Sequence, residues 1–192
     1  DSYRTDLKPA ALISFEERVA SNVVSKISCE YGVIVKTLSA ESRREPPEEL
    51  TTHQAMLRFY RFLADFSPET FVNTFEALHR ACTLEPECGL AWSMLARLYC
   101  VNYSLELFDM ETPLEKAAAF AERGVKLDPA NQRVRMTMAF ILLFKNERSA
   151  GLAEVDRALQ LNPNSLIILE NLGYLMTLFG DWQRGPALIN QA

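Results

Sequence analysis

A chain of 192 residues is long enough for one ordinary domain or a short array of repeats. Hydrophobic residues make up 48% and charged residues 23%, which excludes wholesale disorder. A formal net charge of -5 excludes a broad nucleic-acid footprint or a polybasic membrane patch. The most apolar run, Met138 to Phe144, falls far short of the roughly 18 residues that span a bilayer.

The opening DSYRTD has no initiator methionine and no signal-peptide pattern, and the closing PALINQA falls inside a helical pattern. Both ends read as cuts in a larger protein, with the first 45 residues as the tail of an upstream domain. The first element is expected over about Ile13 to Ser42. Phe15, Val19, Val23 and Ile27 recur every four residues and make one apolar helical stripe. In the intact protein this stripe is expected to pack on the upstream domain. In this segment alone it must be covered by the repeats themselves or by another chain, which makes it a candidate oligomer face with a homodimer as the expectation. RREPPEEL, Arg43 to Leu50, ends the element as a charged, semi-rigid linker.

From there apolar residues recur at i, i+3, i+4 and i+7 almost without interruption, while β-branched alternation is scarce. Helices are expected over Thr51–Phe66, Pro68–Leu84, Gly89–Tyr103, Thr112–Leu127, Asn131–Lys145, Glu147–Leu161, Ser165–Phe179 and Trp182–Ala192. The longest connection, SLELFDME over Ser104 to Glu111, reads as acidic with exposed apolar residues.

Three of these segments end alike, in LEPEC, LDPAN and LNPNS. Pro129 and Pro163 stand 34 residues apart, and Pro86 and Pro129 stand 43 apart, one period plus the long connection. AWSMLARLY adds Trp92, Leu95, Ala96 and Tyr99, and the same pattern returns loosely at Met138/Ala139/Leu142 and Leu169/Leu172/Gly173/Met176. This resembles the tetratricopeptide repeat. The resemblance implies an all-α, right-handed superhelical stack of helix-turn-helix pairs behind an N-terminal amphipathic helix. The repeats would span about 51–86 (degenerate), 89–129 (with the insertion), 132–163 and 166–192. Small residues such as Ala96, Ala139, Gly151, Ala158, Gly173 and Gly185 would sit where paired helices cross.

A wider resemblance rests on FEERVASNVVSKISCEYGVI followed by PPEELTTHQAMLRFYRFL. It is similar to the junction between a TolB-like domain and tetratricopeptide repeats in CadC-type winged-helix regulators and class III adenylate cyclases. No winged-helix, cyclase or nucleotide-binding motif lies in this chain. The implied role is therefore that of an interaction or relay module in a bacterial regulatory protein, cytoplasmic, or periplasmic if the whole protein is membrane-anchored.

Chemistry has few footholds. GxGxxG, P-loop, GxSxG and HExxH motifs are absent, so no enzymatic activity and no cofactor are expected of this segment. The spacing of His79, Cys82 and Cys88 matches no common zinc pattern, and the four cysteines read as thiols of a helical protein. The candidate site is the concave groove that tetratricopeptide arrays line with their first helices. The pattern places Ser93, Arg97 and Val101 there from one helix, Arg133, Met136, Phe140 and Phe144 from the next, and Ile167, Glu170, Tyr174 and Leu178 from the last. This is an apolar surface with arginine on one side and glutamate on the other, suited to a partner helix or peptide. The alternative is that Phe140 and Phe144 are core, covered by the chain's own helices or a second copy. The positions that hold a peptide carboxylate in the clamp subgroup read Ser93, Arg97, Thr137, Ile167 and Asn171, so that mode is not expected.

Overall fold

The computed structural model describes residues 50–192 and, before them, Thr37. The stripe Phe15, Val19, Val23 and Ile27, with the N-terminal helix expected around it, lies outside the described residues. Over residues 50–192 the chain forms α1 (Thr52–Asp65), α2 (Pro68–Leu84), α3 (Gly89–Leu105), α4 (Pro113–Leu127), α5 (Gln132–Phe144), α6 (Arg148–Leu161), α7 (Leu166–Leu178) and α8 (Arg184–Gln191). No described residue is in a strand. Two boundaries move from the sequence expectation. α3 runs on to Leu105, and α8 begins at Arg184 because Trp182 and Gln183 are spent in the turn that follows Gly180.

The three proline joints share one construction. After α2, α4 and α6 come one capping residue, a two-residue turn beginning with the proline, and one residue before the next helix. The turns at Pro86 and Pro129 are closed by Cys88 N–H to the Glu85 carbonyl at 3.0 Å and Asn131 N–H to the Asp128 carbonyl at 3.3 Å. At Pro163 the Asn162 side chain takes over, its Oδ1 accepting from Asn164 N–H at 3.0 Å. Proline suits these positions because its missing N–H and fixed φ cannot continue a helix.

The turns inside each pair instead use a left-handed residue: Phe66, Glu106 (with Thr112), Asn146 and Gly180, all at positive φ. Caps satisfy the free N–H groups of several helices. Thr51 and Gln54 form a reciprocal capping box on α1, Ser67 accepts from Thr70 N–H, and Asn131 accepts from Arg133 and Val134.

Helices pair as α1 with α2, α3 with α4, α5 with α6, and α7 with α8, and the first helices α1, α3, α5 and α7 lie side by side. The second helix of each of the first three pairs also packs on the first helix of the next pair. One core cluster runs through α1–α4 and reaches Ile141 of α5; a second runs through α5–α7 with Val155 and Ala158 of α6. Phe144 packs against both. With its period of 34 and its repeated joints, this is a tetratricopeptide-like stack, in which each pair buries its apolar face only against a neighbour.

At the pair crossings glycine matters where backbones touch. A Cβ on Gly124 would lie 2.9 Å from the Gly89 carbonyl, and one on Gly185 would lie 2.7 Å from the Gly173 carbonyl. The α3 and α4 backbones thus approach each other closely at Gly89 and Gly124, and Ala96 is fully buried. Between α5 and α6 the buried Glu154 carboxylate receives Arg135 at 3.2 Å, and Arg157 as well, so the charge is paired twice.

The long connection departs from expectation. Phe108 stacks on Phe71 with ring centroids 5.2 Å apart, and Leu107 and Met110 pack against the core cluster. Most of its apolar side chains are thus covered, because the loop folds back over α2 and α3.

Candidate partner groove

The row of first helices encloses a cavity of about 250 Å³. α1 contributes Phe59, Tyr60 and Leu63, with Phe66 at its cap, and α3 contributes Leu90, Ser93, Met94 and Arg97. Arg133, Met136, Thr137 and Phe140 come from α5, and Asn171 and Tyr174 from α7. Spacings of three, four and seven bring each set to one helix face. No aspartate or glutamate is among these lining residues, although the whole chain carries a net charge of -5.

Both arginines lie against aromatic rings. The Arg97 guanidinium carbon is 3.4 Å from the Phe140 ring centroid, a cation–π contact. Arg133 donates to the Tyr60 hydroxyl and sits 5.2 Å over that ring. Each guanidinium is held at the cavity wall by a side chain from another helix, Arg97 of α3 by Phe140 of α5 and Arg133 of α5 by Tyr60 of α1. Such pre-positioning reduces the ordering cost of meeting a carboxylate. Tyr174 is 61% exposed and stands at the rim.

Phe66 has φ 49, a conformation that glycine or asparagine takes readily and a bulky residue does not. Its ring tilts on Phe62 at 5.2 Å and stays 45% exposed at the cavity. Strain of this kind concentrates at functional positions.

Of the residues assigned to the groove from sequence, Ser93, Arg97, Arg133, Met136, Phe140 and Tyr174 line the cavity. Val101, Phe144, Ile167, Glu170 and Leu178 do not. Val101 is buried in the core cluster, and Phe144 is wedged between Tyr103 at 6.3 Å and Phe179 at 5.2 Å. These rings fill the space between the C-terminal halves of α3, α5 and α7, so the cavity stops short of Val101 and Phe144. Glu170 is solvent-exposed and does not line the cavity, whose lining among the described residues carries two arginines and no acid. Phe140 is both wall and core, only 3% exposed beneath Arg97.

The α1 wall has no counterpart in the sequence assignment. Its first helix lacks the Trp/Leu/Gly/Tyr pattern, yet Phe59, Leu63 and Phe66 follow the i, i+4, i+7 rule that would have found them.

Cys82, Cys100 and His79 belong to packing. Burial pushes the Cys82 thiol up to about 12, so it carries no thiolate at neutral pH. Burial also pushes Cys100 up. His79 Nε2 and the Tyr99 hydroxyl share a hydrogen bond of 3.1 Å, with Phe75 4.5 Å from the imidazole. No three His, Cys, Asp or Glu side chains converge on a metal-sized site among the described residues.

Burial, then the Lys116 charge, holds His79 below the ordinary histidine value of 6.5. The unfolded chain therefore takes up this proton first, and stability falls as pH drops from about 6.5 through the lower folded value. A thermal-unfolding series from pH 7.5 to 5 should show wild type losing more midpoint temperature than His79→Phe. Parallel curves would remove His79 from the acid sensitivity.

No family model and no curated protein matches the chain. Solved structures of MamA overlap with it at low identity. A crystal structure of MamA has 11% identity over 98% of this chain and 94% of that chain, with a TM-score of 0.47. MamA MSR-1 C2 has 14% identity over 94% of each chain, also at 0.47. MamA 41-end from Desulfovibrio magneticus RS-1 has 15% over 83% and 93%, again at 0.47.

Proposed function

We propose that the chain is a non-catalytic protein-interaction scaffold whose groove takes an amphipathic helix, or an extended apolar peptide, bearing a carboxylate. The observation that carries this reading is the lining itself: aromatic rings and two methionines, two ring-backed arginines and, among the described residues, no acid. Methionine and phenylalanine walls adapt to apolar helix faces, and arginine adds orientation through bidentate pairing. The resemblance of the N-terminal sequence to the junction between a TolB-like domain and tetratricopeptide repeats supports reading the scaffold as the partner-binding or relay segment of a larger bacterial regulator or cyclase.

The test uses displayed helical peptides that vary in apolar stripe and charge. Peptides with an apolar stripe and one or two acids should be enriched, and they should lose at least ten-fold in affinity on Met136→Glu. Phe66→Gly separates binding from folding. It relieves the left-handed strain while deleting a half-exposed ring, so stability should stay within about 1 kcal/mol while affinity drops several-fold. Selected peptides that ignore both substitutions would place the binding surface elsewhere.

A further inference from the structure

We infer that Phe108, in the insertion between α3 and α4, is a positioning residue for the partner groove: a line of aromatic rings connects it to Phe66, and the packing of the insertion thereby sets the affinity of the site. This control point rests on the groove reading above and lies outside the groove's own walls.

The insertion is an addition to the repeat. Pro86 and Pro129 stand 43 residues apart, where Pro129 and Pro163 stand 34 apart. The period itself calls for no ring at position 108, yet Phe108 stacks on Phe71 of α2 with centroids 5.2 Å apart. Phe71 meets Phe62 of α1 edge-on at 5.5 Å, and Phe62 meets Phe66 at 5.2 Å. Phe66 is a wall of the cavity. Ring contacts thus run from the insertion to the groove and cross from the second helix pair into the first.

The middle rings are built to pass a displacement on. Phe71 is 1% exposed and Phe62 is 0% exposed, and a close-packed interior has little slack to absorb a shift. Phe75 also stacks on Phe71, at 5.8 Å, but leads instead to His79 and Tyr99. The last ring is built to respond. Phe66 holds a left-handed backbone at φ 49 while its side chain is barely half-covered. The cost of that conformation and the gain from one aromatic pair are of the same order. A small loss of packing at Phe62 is therefore enough to release the Phe66 ring. Coupling between separate places requires such a two-state element, one that both the insertion and a bound partner can bias.

The experiment places 4-fluorophenylalanine at position 66 of the full chain. It reads the fluorine resonance together with the affinity of helical peptides selected on wild type. Phe108→Ala should shift the resonance and lower the affinity at least five-fold, although Phe108 does not line the cavity. Phe108→Tyr, which keeps a ring to stack, should restore both. Should Phe108→Ala lose its fold, Phe108→Leu, which keeps the bulk without the ring, is read in the same way. Met110→Ala removes another apolar anchor of the insertion but no ring of the line, so affinity should stay within two-fold. Asn102→Ala loosens the insertion yet leaves the Phe108 ring on Phe71 in most molecules, and it should behave like Met110→Ala. In a Phe66→Gly background the Phe108→Ala effect on affinity should shrink below two-fold. An unmoved resonance in Phe108→Ala, an equal affinity loss in Met110→Ala, or full additivity with Phe66→Gly would each overturn the coupling and leave the groove intact. If wild type itself binds no displayed helix, the groove reading has failed and this regulation falls with it.

Discussion

Gly124→Leu is expected to destabilise the chain by about 3 kcal/mol or more, read as a large fall in the urea midpoint. Gly124 faces Gly89 across the α3–α4 crossing. A Cβ there would meet the Gly89 carbonyl at 2.9 Å and Ser93 N at 3.3 Å, and a Cβ on Gly89 would meet the Gly124 carbonyl at 2.8 Å. The obstacles are backbone atoms, which cannot rotate aside as a side-chain tip can. A leucine must pry two helices apart, and they sit in the middle of the cluster that joins α1 to α4. The small gain in helix propensity over glycine, about 1 kcal/mol, does not offset this. An unchanged midpoint would mean that the pair is not packed backbone to backbone.

Gly185→Ala provides the contrast. Its Cβ would fall 2.7 Å from both the Gly173 carbonyl and Thr177 N. The clash is at least as severe, but it lies in the terminal pair. In a stack held by nearest neighbours the damage stays local. Hydrogen exchange should lose protection over α8 while α1–α4 keep theirs. Equal loss along the whole chain would contradict the nearest-neighbour account.

How far these features can be read from the residues alone differs by feature. The proline joints were legible because proline is excluded from helix interiors, so its recurrence at Pro86, Pro129 and Pro163 marks where helices end. The face of α5 was legible because Arg133, Met136 and Phe140 obey helical spacing. Three things were not. The α1 wall went unassigned because its helix carries apolar spacing without the repeat's Trp/Leu/Gly/Tyr pattern. The left-handed Phe66 leaves no trace, since a phenylalanine gives no local signal for positive φ. Val101 and Phe144 share a helix face with groove residues, yet Tyr103 and Phe179 fill the space in front of Phe144. Periodicity tells which side of a helix points inward, and only tertiary packing tells where a groove closes.

The insertion between α3 and α4 is the other place where packing overrode the sequence, and one side chain accounts for it. Asn102 is 2% exposed on α3. Its Nδ2 donates to the Phe108 carbonyl at 2.9 Å, and its Oδ1 accepts from Phe108 N–H, also at 2.9 Å. Both backbone groups of one loop residue are thus satisfied by a single amide, and this delivers the Phe108 ring onto Phe71. Asn102→Ala should cost about 2 kcal/mol, through two lost bonds and the desolvated groups left behind. The Phe108 amide should lose at least ten-fold in exchange protection. Asn102→Asp should restore little, because a carboxylate accepts from the amide but cannot donate to the carbonyl and would be a buried charge. Neither Asn102 nor the loop lines the cavity, so helix binding in the groove should stay within two-fold of wild type. If Asn102→Ala leaves the Phe108 amide protected, the loop is held by its aromatic ring alone, and Phe108→Ala becomes the substitution that releases it.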